Sequence, residues 1–110
     1  MRIRGIWGIT MNNNEITYAE IRSLNRSSVK RRILRYLKRL NGKITILGLS
    51  REIGSNFSNT YYAIFGDGLK YAFEGALITM AMIDIEYSKD GSILCNIIMK
   101  GIAAIDFITE

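Results

Sequence analysis

The chain has 110 residues and a mass of 12.5 kDa, with 48% hydrophobic and 23% charged residues, ten glycines and no proline. That length carries one hydrophobic core, and the composition belongs to a packed globular chain rather than a disordered tail. The absence of histidine and the presence of a single cysteine exclude a Cys/His nucleophilic pair, a histidine-containing triad and a cysteine–histidine zinc cluster.

Net charge is +5, and its distribution is one-sided. Ten basic residues and no acidic one lie between Arg22 and Arg51, whereas eight acidic and three basic residues lie between Glu52 and Glu110. Such a field suits a polyanion, because it attracts phosphates without needing a fixed contact geometry. The longest apolar stretch, Gly75 to Ile85, is interrupted by Asp84 and falls short of the roughly 20 residues a membrane-spanning helix needs. The first residues show no secretory pattern, and Cys95 sits in the apolar run Ile93-Leu94-Cys95, where a buried reduced thiol is expected. A soluble cytoplasmic protein without membrane contact is the expectation.

Along the chain, Arg2 to Met11 alternates poorly and reads as a short strand or an irregular arm. Thr17-Tyr18-Ala19-Glu20 has capping-box spacing and predicts a short helix from about Tyr18 to Leu24. The clearest helix starts after Ser27-Ser28, runs over residues 28–40 and stops at Asn41-Gly42, where a left-handed backbone costs little. Val29, Ile33, Leu34, Tyr36, Leu37 and Leu40 share one side of it, and Arg31, Arg32, Arg35, Lys38 and Arg39 the other. Lys43-Ile44-Thr45 reads as a first strand or an extended lead into the next helix. Ile46, Leu49 and Ile53 then form one buried stripe. After Gly54, Asn56 or Ser58 caps another helix with Tyr61, Ile64 and Phe65 turned inward.

Gly66-Asp67-Gly68 breaks that pattern, and Leu69, Ala72 and Phe73 suggest one or two further helical turns. Asp90-Gly91 predicts a two-residue hairpin turn between strands at about 83–89 and 92–98. Gly101 to Ile108 reads as a final helix or an added strand.

A basic amphipathic helix, a short helix, a glycine turn, a third helix and a hairpin follow the order of a winged helix-turn-helix. The stretch SSVKRRILRYLKRLNGKITILGLSREIGSNFSNTYYAI resembles the small archaeal transcription regulators of that fold, and the likeness extends over roughly Ser27 to Ile108. It implies a mainly α, α+β fold with a small β element, in one domain over 1–110 with 1–26 as an N-terminal extension. It also implies a double-stranded DNA partner, no enzymatic activity and no cofactor. By this resemblance residues 56–65 form the recognition helix, Gly54 permits close crossing of the two helices before and after it, and Tyr87 to Gly91 form the wing.

Ser58, Asn59 and Tyr62 are then the candidates for base contact, with Asn59 suited to paired hydrogen bonds to adenine. Arg31, Arg32, Arg35, Lys38, Arg39, Arg51, Asn56 and Lys89 are the candidates for backbone contact. The recognition segment contains no Arg or Lys, and the wing sets Lys89 among Asp84, Glu86 and Asp90. The alternative is a winged-helix protein-interaction module or a non-specific, chromatin-like binder. Apolar residues at both ends, among them Ile3, Ile6, Trp7, Ile105, Phe107 and Ile108, suggest a homodimer.

Overall fold

The computed structural model describes residues 15–68 and 73–108. The arm from Arg2 to Met11, the dimer candidates Ile3, Ile6 and Trp7, and the expected turn at Leu69 and Ala72 lie outside them. The order is α1 (Tyr18–Asn25), α2 (Ser28–Leu40), β1 (Ile44–Thr45), α3 (Ile46–Ile53), α4 (Phe57–Phe65), a single 3-10 turn (Phe73–Gly75), β2 (Ile83–Tyr87), β3 (Ile93–Ile97) and α5 (Met99–Ile108). This is a mainly α fold with a three-stranded antiparallel sheet, the α+β architecture of a winged helix-turn-helix. Gly101 to Ile108, open between helix and strand in the sequence, is helical.

Polar caps set the helix boundaries. Thr17 accepts from the Glu20 amide while the Glu20 carboxylate accepts from the Thr17 amide, completing the capping box of α1. Ser27 accepts from the Lys30 amide at the start of α2, and Asn41, at φ +53°, ends it in the left-handed conformation. Thr45 leaves β1 and caps α3 through the Gly48 amide, so one residue serves as both strand end and helix start.

The sheet order is β1-β3-β2, with Cys95 of β3 opposite both Ile44 and Ile85. Cys95 is fully buried and its thiol, 3.5 Å from the Ile44 carbonyl, is pushed up to about 12 by burial. It is the inert, reduced cysteine that its apolar flanks predict.

One core unites all layers. Leu24 of α1, Ile33, Leu34 and Leu37 of α2, Leu49 of α3, Ile64 of α4, Met82 just before β2 and Ile105 of α5 are excluded from solvent or nearly so. Thus α1, which falls in the segment read as an extension, seats Leu24 inside the shared core. Ile105, counted among the dimer candidates, is buried in the same core, whereas Phe107 is largely exposed.

Buried polar groups tie α1 to the rest. Lys30, on the inner side of α2, donates to the Ser23 hydroxyl at 2.9 Å and to the Gly75 carbonyl at 2.6 Å, linking α1, α2 and the 3-10 turn. Glu20 also pairs with Lys100 of α5 at 2.7 Å between mostly buried side chains. α5 itself lies against the backbone before β2: a Cβ added at Gly101 would overlap the Met82 carbonyl and stand 2.8 Å from Ile97 Cγ1. Gly101→Ala is therefore expected to destabilise the fold by about 1–3 kcal/mol through overpacking, read as a lower urea midpoint with an unchanged slope.

Candidate nucleic-acid interface

The helix-turn-helix is built by α3, the turn Gly54-Ser55-Asn56 and α4. Gly54 adopts φ +71°, and the Ser55 amide donates to the Ser50 carbonyl at 3.0 Å to close the end of α3. An added Cβ at Gly54 would meet nothing within 4 Å. Its glycine is thus explained by backbone conformation, and the close helix crossing expected from the sequence is not the reason. Asn56 then caps α4 by accepting from the Asn59 amide at 2.7 Å.

α4 turns Thr60, Ala63 and Ile64 into the core. Ser58 and Tyr62, one turn apart, point to solvent, while Asn59 sits half-buried on one flank. Phe57, Tyr61 and Phe65 form the other flank, with ring centroids 5.9 and 4.6 Å apart along the series and Tyr62 edge-on to Tyr61 at 5.5 Å. Ile64 is core as the periodicity requires; Tyr61 and Phe65 only rim it. The C-terminal end of α4 is braced after the Gly66-Asp67-Gly68 break, since the Leu77 and Ile78 amides both donate at 3.1 Å to the Ala63 and Ile64 carbonyls.

The basic candidates divide by role. Arg31 donates to the Leu24 and Asn25 carbonyls at 2.8 and 2.7 Å, closing the C-terminus of α1. Arg32 donates to the Ile53 carbonyl at 2.6 Å and so holds the end of α3 beside the turn. Both favour the negative ends of helix dipoles. Lys38 pairs with Asp106 of α5. Arg35, Arg39 and Arg51 make no side-chain hydrogen bond or ion pair among the described residues. Charge counting in the sequence could not separate the two groups, because the carbonyls that hold Arg31 and Arg32 come from neighbouring helix ends.

The wing differs from expectation in its turn. The pairing ends at Tyr87 and Ile93, and the Ser88 amide donates to the Ser92 carbonyl at 2.9 Å, leaving a three-residue loop, Lys89-Asp90-Gly91. Within the loop Gly91 alone has positive φ, at +89°, so the predicted two-residue turn is replaced by a turn with a glycine bulge; β2 starts at Ile83 as expected but ends two residues early, and β3 is one residue shorter at each end. The Asp90 carboxylate accepts from the Ser88 hydroxyl and, at 3.0 Å, from the Ser92 amide. Glu86 is engaged by Lys43 at 2.5 Å, and Lys89 is exposed.

Residues 21–108 match the family described as EarA-like. The chain belongs to the EarA-like family. EarA-like proteins are a non-catalytic regulatory family, and the winged helix-turn-helix of this chain is its regulatory module. The family also points to nucleic acid as the partner class. No curated protein and no solved structure matches the chain. Among the described residues of this EarA-like protein no group of three or more His, Cys, Asp or Glu side chains is placed to hold a metal, and no helix is long and apolar enough to cross a membrane.

The wing tip offers a direct test of the local geometry. Hydrogen bonds from the Ser88 hydroxyl, first, and from Ser92 hold the Asp90 carboxyl down to about 2 from its ordinary 3.8. A depressed folded-state value means that this contribution is complete above the ordinary value and is lost as pH falls from about 4 toward 2. Carboxyl-carbon NMR titration should place the Asp90 midpoint near 2, and Ser88→Ala should raise it toward 3.8.

Proposed function

We propose that this EarA-like protein is a transcription regulator that binds double-stranded DNA, with α4 in the major groove and phosphates held by basic residues around it. The observation that carries this reading is the arrangement of α3 and α4: a braced second helix whose outward edge, Ser58 and Tyr62, is covered by no other described element. In such a motif the second helix enters the groove while the first lies across the backbone. Tyr62 suits a thymine methyl or a phosphate, Ser58 accepts or donates at a base edge, and Asn59 stands beside them with a carboxamide that matches adenine. The uncommitted cations Arg35, Arg39 and Arg51 supply sequence-blind affinity, and Asn56 and the first amides of α4 are suited to a phosphate.

Arg31, Arg32 and Lys38 keep guanidinium or ammonium protons for phosphate, but their intramolecular partners make them structural residues as well. Lys89 contributes little, since Asp90 and Asp84 share its hairpin. Pairing of two chains would set two α4 helices in successive grooves, and exposed Phe107 and Met99 on α5 are the residues available for it.

Fluorescence titration of labelled duplexes over a range of salt concentrations tests the reading. Arg35→Gln combined with Arg39→Gln should weaken all duplexes alike and reduce the salt slope by about 2. Tyr62→Ala or Asn59→Ala should cost about 1–3 kcal/mol at a preferred site only, and Lys89→Ala should change affinity much less than the arginine pair. A folded protein that binds no duplex at low salt would reject DNA as the partner and favour protein docking on the Phe57–Tyr61–Phe65 flank.

A further inference from the structure

α1 and α2 meet at Arg26 and Ser27, and beside that corner lies a crevice of about 920 Å³ bounded by α1, the first turn of α2, α4 and the 3-10 turn. Small-molecule sites occupy roughly 300–1,000 Å³. Three cations line it, Arg22, Arg26 and Lys30. The Arg22 guanidinium lies 4.8 Å from the centre of the Tyr18 ring, and that of Arg26 has no hydrogen bond or ion pair among the described residues.

Lys30 decides the character of the site. Its side chain is only 6% exposed, yet the two groups that accept from its ammonium, the Ser23 hydroxyl and the Gly75 carbonyl, are neutral. Buried charges are ordinarily met by a counter-charge, because dipoles alone return only part of the lost hydration. Burial accordingly lowers the Lys30 ammonium from its ordinary value. Among the described residues no carboxylate pairs with Lys30. Glu20 is committed to Lys100 and the Thr17 amide, Glu74 at the rim forms no ion pair among the described residues, and residues 1–14 contain no acid. Ala19, Val29 and Met80 add apolar wall, and Asn59 brings a half-buried carboxamide with no partner among the described residues.

We infer that this crevice is a binding site for a small organic anion, a phosphate monoester or carboxylate on a short apolar body, whose oxygens meet Arg22 and Arg26 while its body lies against Val29 and Met80. The anion balances the charge that Lys30 leaves uncompensated. Through Asn59 it also joins α1 and α2 to α4. This regulatory consequence rests on the DNA-binding reading; occupancy of the crevice does not.

Phenyl phosphate is a suitable probe, titrated into the ¹⁵N-labelled full chain at fixed ionic strength without nucleic acid, with phenol as the neutral control. Saturable shifts should appear at the Ser27 to Lys30 amides and the Asn59 side chain, and phenol should produce none. Arg26→Gln should weaken binding by about tenfold or more with an unchanged melting temperature, while Arg39→Gln, on the outward face of α2, should leave it unchanged. Equal losses in the two variants, or shifts that fail to saturate, would overturn the site. A second arm repeats the two variants with duplex DNA. If Arg26→Gln impairs duplex binding while phenyl phosphate does not bind the unaltered chain, the crevice rim contacts DNA backbone and the small-anion site is wrong. Absence of duplex binding leaves the first arm intact, so the two readings fail separately.

Discussion

The apolar side of α2 is the constraint on which the rest of the structure depends. Ile33, Leu34 and Leu37 are wholly excluded from solvent, and α1, α3, α4, α5 and β3 all pack on this one helix. A thirteen-residue helix is marginal alone, so its order derives from this burial, and the elements around it derive their placement from the same contacts. The interface follows from that geometry: the contacts that seat Thr60, Ala63 and Ile64 leave Ser58 and Tyr62 outside.

Because α2 is surrounded, its polar residues hold helix ends as well as meeting water. Arg31 closes α1, Arg32 closes α3, and Lys38 reaches α5 through Asp106. Hydrogen bonds from charged donors to carbonyls at helix termini are stronger than neutral ones and are helped by the dipole. What remains for a partner is the outermost line, Arg35 and Arg39, together with Arg51 of α3. The positive charge that stands out in the sequence is therefore partly internal mortar and partly free surface.

The sequence revealed α2 and α3 almost residue for residue, because their boundaries are local: Ser27, Asn41, Thr45 and Gly54 act within a turn of the chain. For α4 the sequence narrowed the cap to Asn56 or Ser58, and the structure uses Asn56. The wing turn was not legible, since Asp90-Gly91 serves both two-residue and bulged hairpins and the choice was made by Ser88 and Ser92 around the carboxylate. Lys30 was missed although a signal existed. It lies three, four and seven residues before Ile33, Leu34 and Leu37, hence inside the apolar stripe, and a cation at that angle had to be buried or to deform the helix. The half-burial of Asn59 depends on α1 and the 3-10 turn, which no periodicity within α4 reports.

The nine residues of α4 carry no charge, whereas cations stand on α2 and α3 beside it. In the DNA-binding reading this separates long-range attraction from short-range discrimination. Coulomb forces reach over a Debye length of about 8 Å at physiological salt, so capture by any duplex comes first and is blind to sequence. Contacts by a hydroxyl, a carboxamide and a phenol ring act only at touching distance and weaken little with salt. A protein of this form would travel along a polymer at low energetic cost between positions, pausing where α4 fits. Salt would then alter how long it searches far more than what it selects.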